Sequence, residues 1–154
     1  MSPSPGDRKQ RRFAVVNSRT ILLVEHDLEF RDAVAYVLRR RGYTMVTVAS
    51  ADEAEHWLAQ NVPDLLLVEM LLPDRSGFQV LRFVKERSDG QSPAIMMSGH
   101  ASAPHQDYAL AAGADLFLAK PFTLAQLQDA VGGLCPLPRH SAQRVLARIG
   151  AGAP

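Results

Sequence analysis

Five short apolar runs alternate with five segments of helical spacing between Thr20 and Leu134, and this alternation constrains the fold more than any other feature of the chain. The runs TILLV and DLLLV are rich in branched side chains and lack polar alternation, which is typical of strands buried on both faces. Strict strand–helix alternation predicts one α/β domain, a three-layer (βα)5 fold in which helices cover both faces of a doubly wound parallel sheet.

Capping and stop signals set the expected boundaries of these elements. Asp27, Ser50 and Thr123 stand where helix N-caps are expected, Glu53 completes a capping box with Ser50, and glycines mark two helix ends. The predicted strands cover 20–24, 43–49, 63–69, 93–99 and 114–120. The predicted helices cover 27–42, 50–61, 76–88, 102–113 and 123–134, the last ended by Gly132-Gly133.

The two ends of the chain fall outside the alternating pattern. Residues 1–18 are expected to form a flexible basic tail, 19–134 the folded domain, and 135–154 a linker with a short C-terminal tail. Within that tail, 141–149 has the spacing of a short amphipathic helix, which either frays or packs on a partner.

Composition excludes several classes of protein. A formal net charge of +1 does not support a nucleic-acid binder, although basic residues at both ends keep that alternative open. Those residues are Arg8, Lys9, Arg11, Arg12, Arg139, Arg144 and Arg148. The single cysteine, Cys135, cannot form an internal disulfide, and no apolar run approaches the roughly 20 residues that span a bilayer. We therefore expect a cytoplasmic protein that does not insert into membranes.

Polar side chains follow four of the predicted strands at the point where each strand ends. Glu25 and His26 follow the first strand, Glu69 ends the third, Ser98 ends the fourth, and Lys120 ends the fifth. In an open parallel sheet the carboxyl ends of the strands meet at one edge, where ligands bind. The sequence therefore predicts one shared pocket that holds carboxylates, a hydroxyl and an ammonium group.

Four segments in this order resemble the receiver domain of bacterial two-component response regulators. The segments are ILLVEHD, PDLLLVEMLLPDRSG, AIMMSGHA and GADLFLAKPF, and the resemblance covers about 19–133. It implies the flavodoxin-like receiver fold, in agreement with the alternating pattern. In this family an Asp at the end of strand 3 accepts a phosphoryl group from a histidine kinase, with Mg²⁺ bound beside it.

The resemblance also implies a role for each matching position. Glu69 occupies the phosphoacceptor position, and Glu25 and His26 occupy the metal-binding acidic pair. The remaining matches are Ser98 and Lys120 as phosphate contacts, Phe117 as the switch aromatic, and Pro121 after a cis peptide bond. Pro73 and Gly77 match the loop that follows the acceptor.

Two substitutions fall on the residues that would perform the chemistry. Glu69 is one methylene longer than Asp, and phosphoryl transfer depends on accurate positioning of the nucleophile. His26 replaces an oxygen ligand, whereas Mg²⁺ prefers oxygen ligands in near-octahedral geometry. We expect Glu69 to pair with Lys120 and to fill the space of the phosphoryl group, with no cofactor and weak or absent Mg²⁺ binding.

The sequence allows more than one interpretation of several residues. His26 is a tolerated surface residue, a pH-responsive group, a transition-metal ligand together with Glu25 and Glu69, or an alternative phosphate acceptor. Ser98 either satisfies local backbone groups or contacts phosphate. Phe117 either packs in the core or acts as a switch. His100 and His105 are expected at the surface.

We therefore expect a binding module of two-component signalling rather than an enzyme, acting by protein–protein contact independently of phosphorylation. The expected partner is a histidine kinase or a downstream effector, and the expected surface lies on helix 4, strand 5 and helix 5. Candidate residues of that surface are Ala103, His105, Tyr108, Ala112, Leu116 and Ala119. A homodimer through the same surface, a functioning phosphate acceptor and a nucleic-acid-associated regulator remain as alternatives.

Overall fold

The computed structural model describes residues 18–139. The expectations for the tails, including the amphipathic helix at 141–149 and all basic end residues except Arg139, lie outside the described residues.

Five parallel strands form one sheet in the order β2-β1-β3-β4-β5. The strands are β1 Thr20–Val24, β2 Thr44–Val48, β3 Leu65–Glu69, β4 Ala94–Ser98 and β5 Leu116–Ala119. The helices are α1 Leu28–Arg40, α2 Ala51–Leu58, α3 Gly77–Arg87, α4 Ala103–Ala111 and α5 Leu124–Leu134.

Alternate residues of each central strand supply two separate hydrophobic clusters, one on each face of the sheet. Ile21 and Leu23 of β1 pack with α1 and α5, whereas Leu22 and Val24 pack with α2, α3 and α4. All four side chains are fully buried. Burial on both faces explains why these strands are apolar without alternation. The predicted three-layer fold is confirmed.

The N-caps follow the sequence signals closely. Asp27 accepts the Phe30 N–H through Oδ1 at 3.0 Å, and Ser50 accepts the Glu53 N–H through Oγ at 3.2 Å. The Glu53 carboxylate accepts the Ala49 N–H at 2.8 Å and not the Ser50 N–H. The predicted capping box is therefore displaced by one residue. A complete capping box lies at Thr123 and Gln126 instead.

The C-terminal end of α5 corrects one prediction. The helix ends at Leu134, the predicted bound, but it continues through Gly132-Gly133, which were expected to stop it. The next residue, Cys135, is buried in the cluster between α1 and α5, and its carbonyl accepts the Tyr43 hydroxyl at 2.7 Å. Burial of Cys135 and partial burial of Leu134 offset the entropic cost of two helical glycines. Leu137 also packs against this cluster, so the packed region extends past residue 134.

Most of the other elements begin or end one to three residues inside the predicted bounds, because caps and strand-flanking residues leave the regular hydrogen-bond pattern. β1 matches its predicted range, and β3 ends at Glu69 as predicted. Within 18–139, none of the helices combines the length and apolar character needed to cross a bilayer.

Candidate functional site

The ammonium group of Lys120 joins the carboxyl ends of three strands. Its Nζ donates to Oε2 of Glu25 at 2.6 Å and also to Oε2 of Glu69. Glu25 follows β1 and Glu69 ends β3, at the point where the strand order reverses. Lys120 follows β5, so its long side chain crosses over the end of β4. The predicted pairing of Glu69 with Lys120 is present, and Glu25 completes a three-residue cluster.

Glu25 is fully buried, and both of its carboxylate oxygens accept hydrogen bonds. Oε2 accepts from Lys120, and Oε1 accepts the Asp27 N–H at 3.1 Å. Arg31 of α1 donates through Nη1 to the backbone carbonyl of Glu25 at 3.0 Å. A buried carboxylate needs this full set of partners, because desolvation otherwise strongly disfavours its charged form.

Glu69 is 6% exposed and is held from both sides. Its Oε1 accepts the Leu71 N–H at 3.3 Å, while Oε2 accepts from Lys120. A Cβ atom on Gly77 would lie 2.0 Å from the Glu69 carbonyl oxygen, so α3 can begin here only with glycine. The Gly77 N–H also bonds the Met70 carbonyl at 2.8 Å, which fixes the strand end beneath the carboxylate.

Opposing effects act on the pKa of Lys120. Burial lowers it, but hydrogen bonds and charges from Glu25 and Glu69 outweigh burial and raise the pKa above the usual 10.5. Lys120 is therefore a cation at neutral pH. Its backbone is anchored as well, since the Lys120 N–H bonds the Ser98 carbonyl at 2.9 Å and the Lys120–Pro121 bond is cis, as the resemblance implied.

Lys120 is the cation in direct contact with both carboxylates, and His26 lies further away. The His26 side chain is 57% exposed, and its Nδ1 lies 3.5 Å from Oε1 of Glu25, beyond good hydrogen-bond distance. The position of Arg31 was not predicted, because a backbone carbonyl contact leaves no charge pattern in the sequence.

The donor set does not suit Mg²⁺. All four carboxylate oxygens of Glu25 and Glu69 already accept hydrogen bonds, and His26 offers nitrogen where an oxygen ligand is needed. Within residues 18–139, no three His, Cys, Asp or Glu side chains are grouped so that they could hold a metal ion.

Comparison with known proteins identifies the family. The sequence profile of the response regulator receiver domain matches residues 21–132. The chain belongs to the response regulator receiver family. Receiver domains are signalling modules, and the five-stranded fold of this chain is that of a receiver.

Named relatives place this receiver among two-component regulators. The phosphate regulon transcriptional regulatory protein PhoB of Escherichia coli is 32% identical over 111 residues, which are 71% of this chain and 48% of PhoB. The transcriptional regulatory protein TrcR of Mycobacterium tuberculosis is 29% identical over 120 residues, 78% of this chain and 46% of TrcR. The chain therefore spans about half the length of the curated relatives that it matches.

Solved structures agree with the receiver fold. A CheY-like receiver domain from Methanospirillum hungatei superposes with a TM-score of 0.70 at 28% identity, covering 75% of this chain and 92% of that one. The receiver domain of sensor histidine kinase PA1611 from Pseudomonas aeruginosa gives 0.68 at 28% identity, covering 76% and 97%. The latter structure holds a magnesium ion in its active-site cleft.

The loop between β3 and α3 of this receiver is tied to α2 by contacts that sequence reasoning missed. Asp74 accepts the N–H groups of Ala51 and Asp52 at 3.0 and 2.9 Å and so caps the start of α2 from a distance. Although desolvation acts to raise it, these backbone donors hold the pKa of Asp74 below its usual value. Arg75 bridges Asp52 and Glu55 at 2.7 and 2.9 Å.

The remaining candidate residues, Ser98, Phe117, His100 and His105, differ in burial and in contacts. Ser98 is buried, and its Oγ accepts the His100 N–H at 2.9 Å, which agrees with the interpretation of a local backbone contact. Phe117 is half-buried and packs on the cluster under α2, α3 and α4. His100 and His105 are exposed, as expected, and His105 Nδ1 lies 2.6 Å from the Ser102 hydroxyl.

Tyr108, a candidate residue of the predicted interaction surface, is 63% exposed and lies toward α3. Its ring contacts Phe78 of α3 edge to face, with centroids 4.8 Å apart, so it belongs to the α3 side of α4. Ala109 is the buried residue of α4, and successive helix positions are about 100° apart, so Leu110 lies on the side of α4 opposite Tyr108. Ala103, His105, Ala112 and Ala119 are exposed, and Leu116 is half-buried.

Proposed function

We propose that this receiver signals by binding another protein without running a phosphorylation cycle. The observation that carries the proposal is the pair of contacts from Lys120 to Glu25 and Glu69. The lysine that would bind a phosphoryl oxygen is already bound to the side chain that occupies the acceptor position. The cluster thus satisfies its own charges without an incoming group.

The chemistry of the pocket supports this proposal. A phosphoryl group carries about −1.5 to −2 charge and needs free donors and a metal ion to offset it. An incoming group would have to displace Glu69 from Lys120 before Lys120 could contact it. We therefore propose that Mg²⁺ binding is weak or absent and that the domain is a binding module rather than an enzyme.

The proposed partner is a signalling protein, either a histidine kinase or a downstream effector, that contacts α4, β5 and α5. Leu110 and Leu124 are large apolar side chains at 48% and 58% exposure, and they add to the exposed alanines Ala103 and Ala119. Tyr108 is 63% exposed, but it is left out of this surface because its ring lies on the α3 side of α4. A homodimer through the same surface is the second candidate, since solvent-exposed leucines are suited to self-association. We propose a cytoplasmic location, which the two-component relatives and the single cysteine support.

The deciding experiment is a titration of the backbone-amide NMR spectrum with Mg²⁺ and beryllofluoride, which mimics a bound phosphoryl group. We expect the resonances of Glu69, Ser98 and Lys120 to stay unshifted at millimolar concentrations of both. Saturable shifts that extend to Phe117 would overturn the proposal and would show a receiver that accepts phosphate. Incubation with a small phosphodonor separates the two routes to such acceptance, because an acyl phosphate on Glu69 and a phosphoramidate on His26 differ in acid and base stability.

The interaction surface has its own test. Sedimentation velocity of the wild type and of the Leu110→Asp and Leu124→Asp variants measures self-association. Val62→Asp is a matched control, since Val62 is an equally exposed apolar residue in the loop before β3. Dissociation of a wild-type dimer by the leucine changes alone would identify α4, β5 and α5 as the homodimer surface. A monomeric wild type would exclude the homodimer and leave a different protein as the partner.

A further inference from the structure

The ammonium group of Lys120 has three N–H donors, and the two carboxylates account for two of them. The aromatic ring of Phe30 lies on a further side of the same group, with its centroid 4.2 Å from Nζ. This distance is well inside the roughly 6 Å limit for a cation–π contact. The face of an aromatic ring is electron-rich, so it attracts the ammonium without adding a net charge to the pocket.

Phe30 is fixed in place from two directions. It is the third residue of α1, and its N–H bonds the Asp27 carboxylate at 3.0 Å. Its ring meets Phe122 edge to face, with centroids 5.6 Å apart and planes at 73°. Because Phe122 stands two residues after Lys120, the ring that covers the ammonium is supported by the same segment that carries the lysine. Phe30 and Phe122 also pack against the cluster between α1 and α5.

We propose that Phe30 is a positioning residue that completes the coordination of the Lys120 ammonium and closes it to oxyanions. This inference rests on the proposed function, since it names the residue that keeps Lys120 turned toward Glu25 and Glu69. A tetrahedral oxyanion such as phosphate that approaches Nζ meets two carboxylates and one aromatic face. It must displace one of the three to gain a donor. Phe122 acts through Phe30 by holding the ring against the ammonium.

The Phe30→Leu variant tests this inference, because it keeps apolar bulk and removes the ring. Two signals of Lys120 report on the ring directly in lysine-labelled protein at fixed, mildly acidic pH and low temperature. The first is the upfield ring-current shift of the Lys120 Hε protons. The second is the rate at which the Nζ protons exchange with water. We expect Phe30→Leu to abolish the shift and to speed exchange about tenfold, a factor within the range of a partly desolvated cation–π contact.

Two further variants separate the ring from its helix. Phe30→Tyr keeps an aromatic face and is expected to retain both wild-type signals. Tyr36→Leu is the matched control, because Tyr36 lies on the same helix and its ring contacts a cation, Arg40, at 5.8 Å in an exposed position. It is expected to leave Lys120 unchanged.

Retention of the wild-type exchange rate in Phe30→Leu would overturn the role of Phe30, even with the ion pairs intact. If Tyr36→Leu speeds exchange of the Lys120 Nζ protons as much as Phe30→Leu does, the role of Phe30 is also overturned. The faster exchange would then come from loosening of α1 and not from loss of the Phe30 ring. The proposed function fails by a different signal, namely a beryllofluoride response in the wild-type protein. A wild type that ignores beryllofluoride together with a Phe30→Leu variant that gains a response would support both statements.

Discussion

Lys120 at the end of β5 and Glu69 at the end of β3 form a direct ion pair that spans the intervening strand β4. Neighbouring strands lie about 4.8 Å apart, so the two backbones are roughly 10 Å apart and only long side chains can meet. Glutamate gives a longer reach than aspartate at this position. The extra methylene of Glu69 extends its carboxylate about 1.5 Å further from the backbone than that of the family's Asp.

Glu69→Gln should destabilise the domain, because it removes one of the two charges that hold Lys120 in a mostly buried position. Glutamine still offers an oxygen acceptor, so we expect a loss of about 1–3 kcal/mol in the free energy of unfolding. Urea denaturation measures it. The matched control is Glu29→Gln, which changes an exposed glutamate at the start of α1. Equal stability of the Glu69→Gln variant and the wild type would contradict a stabilising pair.

Restoring the family residues should reopen the pocket. In Glu69→Asp the side chain is shorter by about 1.5 Å and should leave room beside Lys120 for a phosphoryl group, and His26→Asp adds an oxygen ligand beside Glu25. We expect the double variant to respond to Mg²⁺ with beryllofluoride and to accept phosphate at least about 10²-fold faster than wild type. Base-labile, hydroxylamine-sensitive radiolabel from a small phosphodonor measures the rate.

The single variants are the controls for this gain. His26→Asp alone should remain inert, because Glu69 still occupies Lys120. If the double variant also stays inert, Glu69 is not what closes the pocket. Adding Phe30→Leu to the double variant would then show whether the aromatic ring of Phe30 closes the pocket.

The fold and the pairing of Glu69 with Lys120 were predictable from the sequence, because they follow from strand alternation and from charges at strand ends. The contact of Phe30 with Lys120 was not, since it joins a helix and a strand end through a ring that gives no polar signal. The contact of Tyr108 with Phe78 was not predicted either, for a related reason. Helix α4 buries only Ala109, so its sequence has no apolar stripe that fixes which side faces α3.

Long-range capping also escaped prediction. Nothing near Asp74 in the sequence indicates that it caps α2, because the partner N–H groups belong to Ala51 and Asp52. The glycines of α5 misled for the opposite reason. Local propensity predicted a helix end at Gly132-Gly133, but burial of the residues that follow outweighed it.

Gly77→Ala should distort the acceptor position from beneath. The added methyl would lie 2.0 Å from the Glu69 carbonyl oxygen, so β3 or α3 must move. We expect a loss of at least about 2 kcal/mol in unfolding free energy and a changed Lys120 environment. Gly133→Ala is the control, since nothing lies within 4 Å of its Cβ position, and a helical alanine should stabilise by about 0.5–1 kcal/mol. Similar stability changes in both variants would contradict a steric requirement at Gly77.

Alkaline pH should weaken the domain through Lys120. Its pKa in the folded state is raised above the usual 10.5, so the folded state retains this proton to higher pH than the unfolded chain. The stabilisation is fully present below about pH 10.5 and is lost as pH rises through the folded-state pKa. The stability contributed by Tyr43 is also lost as pH rises, because burial and the nearby Cys135 raise its pKa.

The measurement is therefore made in a Tyr43→Phe background, with and without the Glu69→Gln change. Urea midpoints between pH 9 and 12 should fall more steeply in the protein that retains Glu69 than in the one that carries Glu69→Gln. Parallel pH profiles of the two proteins would show that Glu69 does not set the affinity of Lys120 for its proton.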